Sequence, residues 1–167
     1  MNMPISVRTK PNVLHQSVVV QFDYAVHFTE GLFDLPNPLF FEVLSDDRSL
    51  EVANLVVVID GGLVQYQPNL IEQVITYCDR YSDKLNLKST PLVIAGGEAV
   101  KNDMSLVVQI QKLISDRGLC RHSYVVAIGG GAVLDLVGYA AATAQIQHCT
   151  ATDRHHIRMS TKTPIAD

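Results

Sequence analysis

Three consecutive glycines between a β-prone apolar run and an alanine-rich stretch are the strongest sign of a ligand-binding site in this sequence. Gly129, Gly130 and Gly131 follow the apolar residues 125–128 and precede the helical pattern of residues 132–144. A strand that enters a helix through such a turn directs backbone N–H groups and the positive end of the helix dipole toward one point, where a pyrophosphate can bind. The sequence therefore predicts a nucleotide site, with a glycine cluster in a surface loop as the alternative.

Two aspartates could place carboxylates near the same ligand. Asp60 directly follows the apolar run 55–59 and could accept hydrogen bonds from a ribose or from adenine-side groups. Asp135 lies one turn into the helix after the glycines and could reach a ligand hydroxyl. Each also has a plainer explanation, because Asp60 could cap the turn that follows it and Asp135 could stabilise the helix dipole. The residue types alone leave both explanations open.

A third turn carries one acid and one base. Gly96 and Gly97 end the apolar run 92–95, and Glu98 and Lys101 follow, three residues apart. The glutamate could accept a hydrogen bond from a ribose hydroxyl while the lysine donates to a phosphate in the same crevice. A solvated ion pair, which would contribute little to stability, is the alternative.

The elements that position these turns repeat in one order: strand, glycine turn, helix. The apolar pattern predicts strands at 55–59, 92–95 and 124–128, and helices at 68–83, from Asn102 or Asp103 to 118, and at 132–144. Short crossovers of this kind are right-handed and build a parallel sheet with helices on its faces. We therefore expect a doubly wound, mostly parallel, Rossmann-like α/β sheet, with the three turns at the carboxyl edge where ligands bind.

The remaining segments are less regular. Residues 1–16 are predicted to form an arm, 17–22 and 26–28 a β-hairpin at the sheet edge, and 39–44 either a short strand or a helical turn. We expect residues 17–144 to form the α/β domain. Residues 145–167 are expected to form an irregular tail, either disordered or produced by a disrupted reading frame.

Composition and charge limit the classes of partner. With 13 Lys and Arg against 17 Asp and Glu, the net charge of −4 offers no basic surface for nucleic acid or an anionic membrane. The apolar runs are far shorter than the roughly 20 residues that span a bilayer, and the N-terminus has no secretory pattern. Cys78, Cys120 and Cys149 form no CxxC pair and are expected to be reduced thiols. These features predict a soluble, cytoplasmic protein with a small-molecule ligand, and neither nucleic acid nor membrane as partner.

Residues 54–144 resemble the N-terminal domain of the sugar phosphate cyclases, the dehydroquinate synthase family. The turn from Gly96 to Lys101 is similar to the family's glycine, glutamate and lysine motif, residues 129–139 to its GGGxxxDxxG(F/Y) motif, and residues 140–143 to its AAT helix. Leu134 stands where dehydroquinate synthases usually have glycine, so a divergent cyclase subfamily fits better. The resemblance implies that NAD is bound by nine residues: Asp60, Gly97, Glu98, Lys101, Gly129, Gly130, Gly131, Asp135 and Thr161.

The resemblance also implies the reaction of a carbon–oxygen lyase. In the family, bound NAD transiently oxidises a sugar phosphate, phosphate is eliminated, the hydride returns and an aldol step closes a carbocycle, while a divalent metal, usually zinc, polarises the substrate. The family's C-terminal helical domain, which supplies the metal ligands, is absent from the 167 residues, so we expect a catalytically incomplete chain without a metal site. The expected partners are a sugar phosphate and a second copy of the chain. A metal cluster at 148–156 is the weaker alternative.

Two other functions compete with this interpretation. The iron-containing alcohol and glycerol dehydrogenases have a similar fold and a GGGSxxDxAK motif, but Ala132 replaces its serine and Gly138 its lysine. Both substitutions favour the cyclases. The second competitor is a non-catalytic nucleotide-binding module, or a remnant of a longer enzyme.

Overall fold

The computed structural model describes residues 25–45, 52–120, 122–144 and the backbone of strand 156–160. Helices and strands alternate along this part of the chain. The elements are α1 Leu39–Ser45, β1 Ala53–Asp60, α2 Gly61–Tyr66, α3 Leu70–Arg80, β2 Leu85–Leu87, β3 Leu92–Ile94, a 3₁₀ helix Glu98–Asn102, α4 Met104–Asp116, β4 Tyr124–Gly129, α5 Gly131–Thr143 and β5 His156–Ser160.

The five described strands form one parallel sheet around β1. On one side, β2 pairs with the first half of β1 and β3 with the second half, in the registers Ala53↔Leu85 and Val58↔Leu92. On the other side β4 pairs along β1, and β5 continues the sheet beyond β4. The predicted parallel sheet is confirmed, and β1 is its central strand.

Apolar side chains cover both faces of β1. Val56 and Val58 pack into a cluster with α4 and α5, whereas Leu55, Val57 and Ile59 pack into a second cluster with α1 and α3. All five side chains have 0% exposure. Full burial of such a side chain contributes roughly 1.5–3 kcal/mol. Helices on both faces make the sheet doubly wound, as the continuous apolar run predicts.

Helix α4 begins where the sequence predicts a cap. The Asp103 carboxylate accepts hydrogen bonds from the backbone N–H of Ser105 at 2.9 Å and of Leu106 at 3.4 Å. Hydrogen bonds from the Ser105 side chain and backbone lower the pKa of Asp103. After α4, Gly118 adopts a φ of 62°, a left-handed conformation that favours glycine at a helix end.

Aromatic side chains fix the 31–37 loop and α1 against α3. Phe33, Phe40 and Tyr77 contact one another edge to face, with ring centroids 5.1 to 5.9 Å apart. The Tyr77 hydroxyl donates to the Asn37 carbonyl at 2.7 Å, and burial raises the pKa of Tyr77 to about 12. The Tyr81 hydroxyl donates to another carbonyl of the same loop at 2.7 Å.

Several sequence predictions need correction. Residues 26–28 form no strand, and residues 17–22 of the expected hairpin lie outside the described residues. Phe28 is 95% exposed and none of the described strands lies beside it. Residues with high β propensity do not form a strand here, because they have no packing partner in the described part of the chain. The undecided segment 39–44 is helical. Strand β5 lies inside the segment expected to be irregular, and the short β2 was not predicted.

The helices formed by the described residues are short. The longest have 13 residues, and none combines the length and hydropathy of a membrane span.

Tyr77→Phe tests the attachment of the loop to α3. We expect it to lower the free energy of unfolding by about 1 kcal/mol, because the Asn37 carbonyl loses its donor while the ring packing is kept. Urea titration monitored by circular dichroism measures the change. Tyr66→Phe is the matched control, since Tyr66 is 79% exposed and should leave the transition unchanged. Identical midpoints for Tyr77→Phe and wild type would show that the hydrogen bond contributes nothing.

Candidate functional site

The carboxyl ends of β3, β1 and β4 lie side by side at one edge of the sheet. Asp60, the last residue of β1, is in register with Ile94 of β3, and Ile59 is in register with Ile128 of β4. Because the strands are parallel, the turn that follows each of them opens on the same side. The structure thus brings together the three turns that the sequence singles out.

Asp60 caps the helix that follows β1. Its Oδ1 atom accepts a hydrogen bond from the backbone N–H of Gly62 at 2.8 Å, at the start of α2. Asp60 therefore caps the turn that follows it, which is the simpler of the two roles predicted from the sequence. A carboxylate can accept about four hydrogen bonds, and this contact uses one of them, so Asp60 keeps the capacity to bind a ligand hydroxyl.

Glu98, Lys101 and Asp135 form a cluster of charges beside the turns. Lys101 Nζ lies 2.9 Å from Glu98 Oε2 and 4.0 Å from Asp135 Oδ2, so the 3₁₀ helix and α5 are linked by charge. The hydrogen bond from the lysine to Glu98 raises the pKa of Lys101, and the charges of Glu98 and Asp135 add to the effect. The Glu98 side chain is 80% exposed, so the ion pair contributes little to stability.

The glycine turn after β4 is open. Gly130 precedes α5 with φ −76° and ψ 173°, and none of the described side chains caps the helix there. Among the described residues, no heavy atom lies within 4 Å of a Cβ atom placed on Gly130 or Gly131. Neither backbone geometry nor neighbouring atoms therefore require glycine at position 130. The space beside the first N–H groups of α5 is available to a bound group.

The other glycines of the site are constrained. Gly97 has a φ of 91°, which L side chains rarely adopt. A Cβ on Gly129 would lie 2.9 Å from Asp60 Cβ and 3.1 Å from Val133 Cβ. Gly129 is therefore required for packing between β4, β1 and α5, a role that the motif alone does not reveal.

Some predicted residues are not part of the described site. Thr161 lies outside the described residues, as do 148–155 of the alternative metal segment, and the side chains of 156–160 are not described. Within the described ranges, no group of three His, Cys, Asp or Glu side chains could hold a metal ion.

A broad open depression of ≈ 860 Å³ lies elsewhere in the fold. It is formed by residues of the 30–37 loop and the first half of α3, among them Phe33, Asp34 and Glu72. None of the nine residues predicted to bind NAD lines it. Sequence reasoning missed this depression, because it depends on the tertiary contact between the loop and α3.

Comparison with known proteins finds a family model that matches part of this sheet edge. Residues 91–148 match the family model described as 3-dehydroquinate synthase N-terminal. This segment is similar to part of a 3-dehydroquinate synthase N-terminal domain. The match includes the second and third turns and α5, so the resemblance to the sugar phosphate cyclases is confirmed.

Curated relatives extend this match. The chain is 50% identical over 54 residues to 3-dehydroquinate synthase of Pelobacter propionicus, covering 32% of this chain and 15% of the relative. It is 30% identical over 122 residues to the synthase of Pseudomonas syringae pv. tomato, covering 73% of this chain and 29% of the relative. The chain thus spans less than a third of the length of these synthases.

Solved cyclase structures have the same fold. The structure of 2-epi-5-epi-valiolone synthase from Streptomyces hygroscopicus subsp. jinggangensis 5008, which has NAD⁺ and Zn²⁺ bound, superposes with a TM-score of 0.56 at 25% identity. The superposition covers 78% of this chain and 32% of that cyclase. A 2-deoxy-scyllo-inosose synthase superposes with a TM-score of 0.51 at 22% identity over 74% of this chain and 31% of that one.

The contrast between Gly129 and Gly130 predicts different responses to the same substitution. Gly129→Ala should lower the free energy of unfolding by about 1–3 kcal/mol, because the new methyl group overlaps Asp60 and Val133. Gly130→Ala is the matched control and should leave stability unchanged, since its methyl group points into open space. Chemical denaturation of the two variants measures the difference. Equal stabilities would contradict the packing described for Gly129.

Proposed function

We propose that this chain is the NAD-binding part of a sugar phosphate cyclase similar to 3-dehydroquinate synthase. The observation that carries the proposal is the meeting of three turns at one sheet edge, two of which lie in the region that matches the synthase family. The NAD⁺ bound to 2-epi-5-epi-valiolone synthase supports the choice of cofactor.

The residues at this edge fit a dinucleotide. The open space beside Gly130 and Gly131, at the positive end of α5, suits the pyrophosphate. Glu98 is assigned to accept a hydrogen bond from a ribose hydroxyl, and Lys101 to donate to a phosphate. Asp60 and Asp135 supply further acceptors for hydroxyl groups. When bound, NAD supplies a hydride acceptor, while the chain's own residues hold and orient it.

The proposed substrate class is a sugar phosphate, by analogy with the family. The described residues contain no cluster that fits zinc, so we assign no metal-dependent step to them. Cytoplasmic location, a homodimer and the catalytic incompleteness of the chain stay predictions.

Isothermal titration calorimetry with NAD tests the proposal directly. We expect saturable binding, accompanied by a rise in melting temperature, because a ligand at 100 times its Kd stabilises the native state by about 2.7 kcal/mol. Inorganic pyrophosphate serves as the comparison ligand and should bind more weakly, since it contacts only the glycine turn. The absence of both heat and a thermal shift at millimolar NAD would exclude the function.

Gly130→Val tests whether the open space holds the cofactor. The backbone angles of Gly130 suit valine and its Cβ would meet no heavy atom of the described residues within 4 Å, so we expect fold and melting temperature to be unchanged. The isopropyl group would fill the space assigned to the pyrophosphate and should weaken NAD binding by about tenfold or more. Gly130→Ala should have a smaller effect. Wild-type affinity for NAD in the valine variant would show that NAD does not bind at this turn.

A further inference from the structure

We propose that Gly96 is a positioning residue for Asp60. Its missing side chain, together with that of Gly129, leaves the slot in which the Asp60 side chain is held before any ligand binds. The link to cofactor affinity rests on the function proposed above, whereas the positioning itself does not. In this arrangement Gly96 makes room for a protein carboxylate and not for the ligand.

The contacts of Asp60 with Gly96 carry the inference. A Cβ placed on Gly96 would lie 2.7 Å from both Cγ and Oδ2 of Asp60, well inside van der Waals contact. The neighbouring Gly97 differs, because a Cβ there would meet none of the described residues within 4 Å and its φ of 91° favours glycine. Glycine at position 96 thus leaves room for the Asp60 carboxylate, whereas glycine at position 97 suits the backbone conformation.

Gly129 closes the slot from the opposite strand. A Cβ on Gly129 would lie 2.9 Å from Asp60 Cβ. Asp60 ends β1, which lies between β3 and β4 in the sheet. Its side chain is therefore confined by the turn after β3 on one side and by the end of β4 on the other. The hydrogen bond from the Gly62 N–H fixes the orientation of the carboxylate within that space.

This confinement has a consequence for binding. A carboxylate held in one orientation loses little rotamer freedom when a ligand hydroxyl arrives, so its hydrogen bond adds more to affinity than one from a mobile side chain. Alanine at position 96 would displace the carboxylate from the Gly62 N–H and from the direction of the crevice. We therefore expect Gly96→Ala to act on affinity through Asp60.

A double-mutant cycle tests the positioning by thermal unfolding. Gly96→Ala is made in the wild type, in Asp60→Asn, whose carboxamide fills the same slot, and in Asp60→Ala, whose slot is empty. We expect Gly96→Ala to lower the melting temperature in the first two backgrounds and to leave it unchanged in Asp60→Ala. Gly130→Ala is the matched control and should be neutral in all three backgrounds, because its methyl group meets open space.

NAD titration of the same variants tests the consequence for the ligand. Gly96→Ala should weaken binding by the same factor as Asp60→Ala, within about twofold, and the double variant should be no weaker than either single one. Two results would overturn the inference for the ligand site. One is a double variant whose loss of NAD affinity equals the product of the two single losses, and the other is wild-type affinity in Gly96→Ala.

The double-mutant cycle measured by thermal unfolding can also contradict the proposal. Equal melting-temperature losses in all three backgrounds, or no loss in any, would show that Gly96 does not act through Asp60. If the wild-type chain does not bind NAD, the proposed function fails, while the thermal cycle still decides whether Gly96 positions Asp60.

Discussion

The burial of β1 on both faces is the constraint on which the rest of this structure depends. A strand without an exposed face must be covered by helices above and below, and its backbone groups must be paired on both edges. Here β2 and β3 pair with one edge and β4 with the other, all in parallel. Parallel pairing brings the carboxyl ends of β3, β1 and β4 to one line. The location of the candidate site thus follows from the way the central strand is buried.

Glycines at this edge act by separate physical means. Gly97 supplies a backbone conformation, Gly96 and Gly129 supply room for the Asp60 side chain, and Gly130 leaves open space beside α5. A motif written as a run of glycines hides these differences. Substitutions at the four positions therefore have different expected outcomes, and of the four only a change at Gly130 is expected to leave the stability of the fold unchanged.

The long apolar and periodic segments could be predicted from the sequence. Strands β1, β3 and β4 and helices α3, α4 and α5 depend on local patterns, and so does the capping of α4 by Asp103. Helix α1 could not be assigned, because six residues are compatible with either structure and its packing depends on Tyr77, far away in the chain. Strand β2 has three residues, too few for a periodicity.

For the site, sequence could predict the pair Glu98 and Lys101 but not the third charge that lies near them. Spacing within one turn places the glutamate beside the lysine, whereas the approach of Asp135 requires α5 to pack against the 3₁₀ helix. The slot around Asp60 is likewise a product of three chain segments. No local pattern shows that two glycines from different turns lie against one aspartate side chain, Gly96 beside its carboxylate and Gly129 beside its Cβ.

The ion pairs among Glu98, Lys101 and Asp135 are exposed and can separate at low cost. Because Lys101 has a raised pKa, its attraction to Glu98 and Asp135 is fully present below the ordinary lysine pKa of about 10.5 and is lost as the pH rises through the raised value. At neutral pH the lysine is therefore always charged. Its ion pairs are exposed and contribute little to stability, so a phosphate could replace a carboxylate as its partner at small cost to the fold. An exposed pair can therefore separate at low cost, whereas separating a buried pair would leave an uncompensated buried charge.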